Sequence, residues 1–145
     1  MSSRFDELTI GTNSAEVRRA SEWLDTTCQQ HAVPQALVER LVLCVNEVLA
    51  NVIAHGGKAA LSAPIRLRFE VTGDQGCGEA GVTVSDAGVA FDPLSVPART
   101  EPKTLEEASL GGLGLVMIHR CSDWIRYRHE DGHNHLSFGT RWNRE

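Results

Sequence analysis

No run of 18 apolar residues, the length a membrane-crossing helix needs, occurs in this 145-residue chain. The N-terminal segment carries Arg4, Asp6, Glu7, Glu16, Arg18 and Arg19 and has no apolar core of the kind an export signal requires. Membrane insertion and export are therefore not expected, and the chain reads as soluble and cytoplasmic. A block rich in lysine and arginine is also missing, and the formal charge is -5, which argues against a nucleic-acid backbone as the main partner. A small ligand or another protein remains. Cysteine is sparse: Cys28, Cys44, Cys77 and Cys121 include no CxxC pair, so neither a disulfide framework nor a zinc site is indicated. Two of the four sit at helical positions between apolar residues, and buried reduced thiols are the expectation for the set, in keeping with a reducing cytoplasm.

What is present suits a single globular domain over 1–145. With 41% hydrophobic residues, a chain of this size buries roughly two thirds of its unfolded surface and leaves no room for a second domain. Phe5 to Ile10 reads as an opening strand, followed by Asn13 and Glu16 at capping-box spacing for a helix reaching about His31. Val17, Ala20, Leu24 and Cys28 would face inward, with Arg18, Arg19, Glu22 and Asp25 outward. Pro34 suits the first turn of a second helix, which Gly56-Gly57 can end by adopting left-handed backbone angles.

That second helix organises the chain. Glu47, Asn51 and His55 recur at intervals of four and share one stripe, while Leu41, Cys44, Val45, Val48 and Val52 cover the rest. A carboxylate and a carboxamide on so apolar a helix are costly to bury unpartnered, so something polar is expected to meet them. Ile65 to Val71 then alternates apolar and charged side chains, as a strand with one solvated face does. Gly73 to Glu79 reads as a turn, and Val82 and Val84 continue the alternation in a second strand. Its exit, Asp86-Ala87-Gly88, can present a carboxylate to a pocket, or can simply be an Asx-type turn.

From Pro93 to Leu110 the pattern dissolves into prolines, small residues and acids, a composition that suits a lid or binding loop. Gly111-Gly112-Leu113-Gly114 then opens an apolar helix running to Cys121. Glycine-rich loops at helix starts let backbone N–H groups approach a polyphosphate, although GGxG also serves ordinary tight turns and the GK[ST] ending of a Walker A loop is absent. A closing hairpin follows, Trp124 to Arg128 and His135 to Trp142 about a turn near Asp131-Gly132, with Leu136, Phe138 and Trp142 inward. His129, His133 and His135 gather near its tip, where histidines are more often polar surface than metal ligands.

Taken together, Glu47-x-x-x-Asn51, Asp86-x-Gly88 and Gly112-x-Gly114 resemble, in order and spacing, the N, G1 and G2 boxes of the gyrase/MutL/histidine-kinase ATPase superfamily. The short length, the Glu-x-x-x-Asn-x-x-x-His form and the two closing strands are most similar to the anti-sigma-factor serine kinases. No phospho-acceptor helix or dimerisation hairpin is read ahead of the match, so a complete sensor kinase is not expected. The resemblance implies a Bergerat-type α/β fold: a two-layer sandwich whose mixed, mostly antiparallel sheet carries three helices on one face, with an ATP lid at about 93–110.

It also implies roles. Asn51 would hold Mg²⁺ on the ATP phosphates, Asp86 would accept the adenine amine, Gly88 would let the base approach the main chain, and Gly112 and Gly114 would wrap the phosphates. Glu47 would be the general base for an incoming serine hydroxyl; His55 could serve structure or function. The implied activity is that of an ATP-dependent serine/threonine kinase and anti-sigma factor, acting on a STAS-domain antagonist, binding a sigma factor and forming a homodimer. Ala90, where the G1 box commonly has glycine, and Ser109-Leu110, which supply no cation before the glycines, depart from the pattern. They leave open a non-catalytic nucleotide-binding module that sequesters a partner, and, further off, a bare ATPase.

Overall fold

A computed structural model describes residues 3–73, 76–90 and 118–143. In chain order the elements are β1 (Ser3–Ile10), α1 (Ser14–Gln30), α2 (Gln35–His55), α3 (Gly57–Leu61), β2 (Ile65–Gly73), β3 (Cys77–Asp86), β4 (Trp124–Glu130) and β5 (His133–Asn143).

Local chemistry accounts for most of the boundaries. Asn13 caps α1, its side chain accepting the Glu16 N–H at 3.0 Å. Glu16 does not return the bond to Asn13; its Oε1 accepts the Gly11 N–H at 3.0 Å, so the box is displaced by two residues. At the far end of α1, the Val33 N–H bonds the Cys28 carbonyl and the Ala32 N–H bonds that of Gln29, with Ala32 left-handed at φ 58. This is a Schellman closure built without glycine. Pro34 stands just before α2 rather than inside its first turn. Gly57 takes φ +77 and, unexpectedly from sequence, begins α3 rather than a loop. Asp131 and Gly132, both at positive φ, form the two-residue turn between Glu130 and His133.

The five strands run in the order β1-β2-β3-β5-β4, and every pairing among the described residues is antiparallel. The parallel component of the expected mixed sheet is not found there. Two of the pairings, β2 with β3 and β4 with β5, join consecutive strands through short connections, which require antiparallel neighbours. β2 alternates buried and exposed from Ile65 to Val71 without a break. The segment between β2 and β3 is tighter than the sequence suggests, because Cys77, Gly78 and Glu79 already belong to β3 and Gly73 faces Gly78.

One face of the sheet, through Leu67, Phe69, Val71, Val82, Val84 and Phe138, packs against Ala20, Leu24 and Cys28 of α1 and Val38, Leu41, Val45, Val48 and Leu49 of α2. Burying each large member contributes about 1.5–3 kcal/mol against exposure. Val17, expected inside, and Val52 are half-buried at the margin of this core. Of the anticipated third helix only residues 118–121 are described. This helical turn docks on α2, where Arg40 Nε donates to the Cys121 carbonyl at 3.0 Å and Ile118 is 1% exposed.

Candidate functional site

The polar stripe on α2 is where the spacing put it. Glu47 and Asn51 are both half-buried, one turn apart, or about 6 Å along the axis. Asn46, beside them, takes a hydrogen bond from Ser21 of α1 instead. His55 ends the helix exposed, and its ring makes no hydrogen bond to a described residue.

The second component is the exit of β3. Asp86 is 6% exposed, and its Oδ1 accepts the Gly88 N–H at 2.8 Å and Asn134 Nδ2 at 3.1 Å. The first bond is the Asx-type turn that sequence allowed, and the second makes that turn more than local. No described residue donates to Oδ2, so the carboxylate keeps an acceptor in reserve. Gly88 is required by close approach: a Cβ would lie 2.9 Å from Asp86 Oδ1 and 2.9 Å from the Gly56 carbonyl.

A backbone bond joins the two components, since the Val89 N–H donates to the Gly56 carbonyl at 3.1 Å. The end of the helix bearing Glu47 and Asn51 is thereby fixed to the turn bearing Asp86 and Gly88. Their segments are far apart in sequence and meet only because α2 crosses the sheet at the exit of β3. Gly112, Gly114, the lid at about 93–110 and Ser109-Leu110 lie outside the described residues. Ala90 is exposed just beyond the turn.

Asn134 was not anticipated. It pairs directly with Asp86 in the β3–β5 register and is 7% exposed; its Nδ2 donates to Asp86 Oδ1, to Gly88 O at 3.2 Å and to Val89 O at 2.9 Å. The signal was there: Asn134 shares the parity of Leu136 and Phe138, so the alternation places a carboxamide on the buried face. The histidines near the hairpin tip have separate partners. His135 Nδ1 bonds Ser85 Oγ at 2.7 Å, His133 Nδ1 bonds the Asp131 carbonyl, and no cluster among the described residues suits a metal ion. Cys28 and Cys44 are buried free thiols, whereas Cys77 is exposed, because its position at the start of β3 falls on the solvated side of the alternation.

A carboxylate and carboxamide on a helix laid over an antiparallel sheet, bonded end-on to an Asp-x-Gly turn at a central strand exit, make up a two-layer α/β domain with a polar site at that junction. The histidine kinase-like ATPase domain model matches residues 11–140, and the chain belongs to that family, with the ATP use its name carries. The chain is 28% identical over 137 residues to the serine/threonine-protein kinase BtrW of Bordetella bronchiseptica, covering 94% of each. It is 28% identical over 99 residues to the serine-protein kinase RsbW of Bacillus subtilis, covering 66% of this chain and 59% of that relative. Among solved structures, the RsbU and RsbW domains of a Mycobacterium tuberculosis protein superpose with a TM-score of 0.66 at 16% identity, over 97% of this chain and 34% of that one. The SiaB–SiaC complex of Pseudomonas aeruginosa gives a TM-score of 0.51 at 13% identity, over 94% of this chain and 89% of the other. At these identities the two structures speak to the fold alone.

Proposed function

We propose that the protein is an ATP-dependent serine/threonine protein kinase that acts as an anti-sigma factor in a partner-switching pathway, phosphorylating a STAS-type antagonist on serine. The observation that carries this reading is the Val89 N–H to Gly56 carbonyl bond, which brings Glu47 and Asn51 to the same end of the fold as Asp86 and Gly88. The kinase names of two relatives that align over most of this chain support it.

The described residues fit an adenine nucleotide. Asp86 Oδ2 is an acceptor with no described donor, suited to an exocyclic amine, and Gly88, with no Cβ to strike the Gly56 backbone, lets the turn that holds this carboxylate pack against the end of α2. Asn51 and Glu47 offer hard oxygen donors of the type magnesium prefers, and Asn51 is the residue assigned to hold it. When bound, Mg-ATP supplies the transferable phosphoryl group and the charge that neutralises it. Asp86 and Gly88 orient the base, while Gly112 and Gly114 are assigned to the phosphates. Glu47 takes the proton of the incoming serine hydroxyl, and most of the acceleration comes from positioning and charge neutralisation. Phosphoserine adds close to two negative charges where the antagonist docks, so release of the product is electrostatic. A homodimer that binds a sigma factor when the antagonist is phosphorylated completes the proposal, together with a cytoplasmic site of action.

The test incubates the purified protein with Mg-ATP labelled on the γ-phosphate and a serine-containing STAS-domain protein. Label on a partner serine, abolished by Glu47→Ala and by Asn51→Ala, supports the kinase. ATP binding without transfer to any partner points to the non-catalytic module, and phosphate release without a partner to a bare ATPase.

A further inference from the structure

We infer that Asn134 of β5, oriented by Tyr127 of β4, is a positioning residue that makes the Asp86 turn select a purine bearing an amino group over one bearing an oxo group. The inference rests on the proposal that Asp86 receives the base of ATP.

The geometry is specific. Asn134 stands directly opposite Asp86 across the β3–β5 pair, and its single Nδ2 amide reaches Asp86 Oδ1 at 3.1 Å, Gly88 O at 3.2 Å and Val89 O at 2.9 Å. One side chain therefore ties the carboxylate to the two carbonyls that follow it. With the Gly88 N–H also on Oδ1 at 2.8 Å, that oxygen is committed to two donors from the protein. The carboxylate cannot turn about its own axis without breaking both bonds, and Oδ2 is left as the one oxygen that receives nothing from a described residue. An acceptor held in a fixed direction demands a donor opposite it. An exocyclic amine satisfies it; an exocyclic oxo group would place oxygen against oxygen and leave two buried acceptors facing each other.

Tyr127 fixes the sense of the amide. Its hydroxyl donates to Asn134 Oδ1, so the carboxamide must keep its oxygen toward β4 and its nitrogen toward Asp86, Gly88 and Val89. The reversed amide would confront three acceptors with a fourth. Because Tyr127 faces Leu136 in the β4–β5 pair, the last hairpin of the chain contributes to the base site from the edge of the sheet.

The experiment measures calorimetric affinities of the full chain for Mg-ATP and for Mg-ITP, whose base carries an oxo group at the same position, with circular dichroism monitoring the fold. The unaltered chain is expected to prefer ATP. Asn134→Ala is expected to weaken ATP roughly tenfold and ITP far less, narrowing the ratio, as loss of about one hydrogen bond to a charged group requires. Tyr127→Phe removes one hydroxyl and keeps every Nδ2 bond, so the ratio narrows in the same direction by roughly threefold. Asn134→Ser, which restores a single donor, recovers part of the preference. A purely structural role would lower thermal stability and leave the ATP-to-ITP ratio unchanged in both Asn134→Ala and Tyr127→Phe, and that result overturns the inference while the kinase proposal stands. No ATP binding by the unaltered chain overturns both.

Discussion

A thiol moved out of water keeps its proton, and two cysteines here are held that way. Burial, with the Asp25 carboxylate adding to it, pushes the Cys28 thiol up to about 12; burial, with Cys121 adding, does the same to Cys44, against a smaller opposing pull from Arg40. The sign of the consequence follows from proton counts. Between the unfolded value near 9.0 and about 12 the unfolded chain has released protons that the native chain retains, so stability falls as pH rises through that window and is fully present below it. Urea denaturation from pH 8 to 11 should show the decline, and Cys44→Ala should flatten it, from a lower starting stability. Iodoacetamide at pH 8 should modify exposed Cys77 in the native protein and spare Cys28 and Cys44, as mass spectrometry can read. At Gly88 the constraint is steric: Gly88→Ala puts a methyl 2.9 Å from both Asp86 Oδ1 and the Gly56 carbonyl, and the expected result is a loss of ATP affinity of about tenfold or more with the helices intact.

Individual elements carry their own tests, and α1 offers two of opposite sign. Its start depends on the Asn13 side chain, and Asn13→Ala should cost about 1 kcal/mol in chemical denaturation. Its end places Ala32 in the left-handed region at φ 58, exposed, in a closure that glycine normally serves. Ala32→Gly relieves that strain and gives back some unfolded-state entropy, so a net gain of between about 0.5 and 1 kcal/mol is expected in the same measurement. α2 is different in kind. Its buried face is continuous from Val38 to Leu49, and the helix is fixed by packing and by its bond to the Asp86 turn more than by its caps, since no side chain caps its start.

At the scale of the whole molecule, the helices and the sheet share one core, to which α1, α2, all five strands and Ile118 contribute. We propose on that basis that 1–145 is a single domain, and unfolding should then be one cooperative transition by circular dichroism and by tryptophan fluorescence. If the site takes Mg-ATP, ligand present at about a hundred times its Kd should add roughly 2.7 kcal/mol to the stability, visible as an upward shift of that one transition. Two transitions, only one of which moves with nucleotide, would count against the single domain.

Much of this was written in local patterns. The alternation in β2, the Asn13 cap, the Asp131-Gly132 turn, the four-residue interval of Glu47 and Asn51, and Asp86 at a strand exit each depend on neighbours in the chain, and each could be read there. Alternation also gave the parity of Asn134 but not its partner. Parity follows from a period of two, whereas register follows from which strand lies alongside and how the turns set it. Only the assembled sheet aligned Asn134 with Asp86, and only the crossing of α2 brought the Gly56 carbonyl to the Val89 N–H. The same distinction explains the misreading of the residues after Gly57: whether a chain leaving a helix turns at once into another is decided by what packs against it.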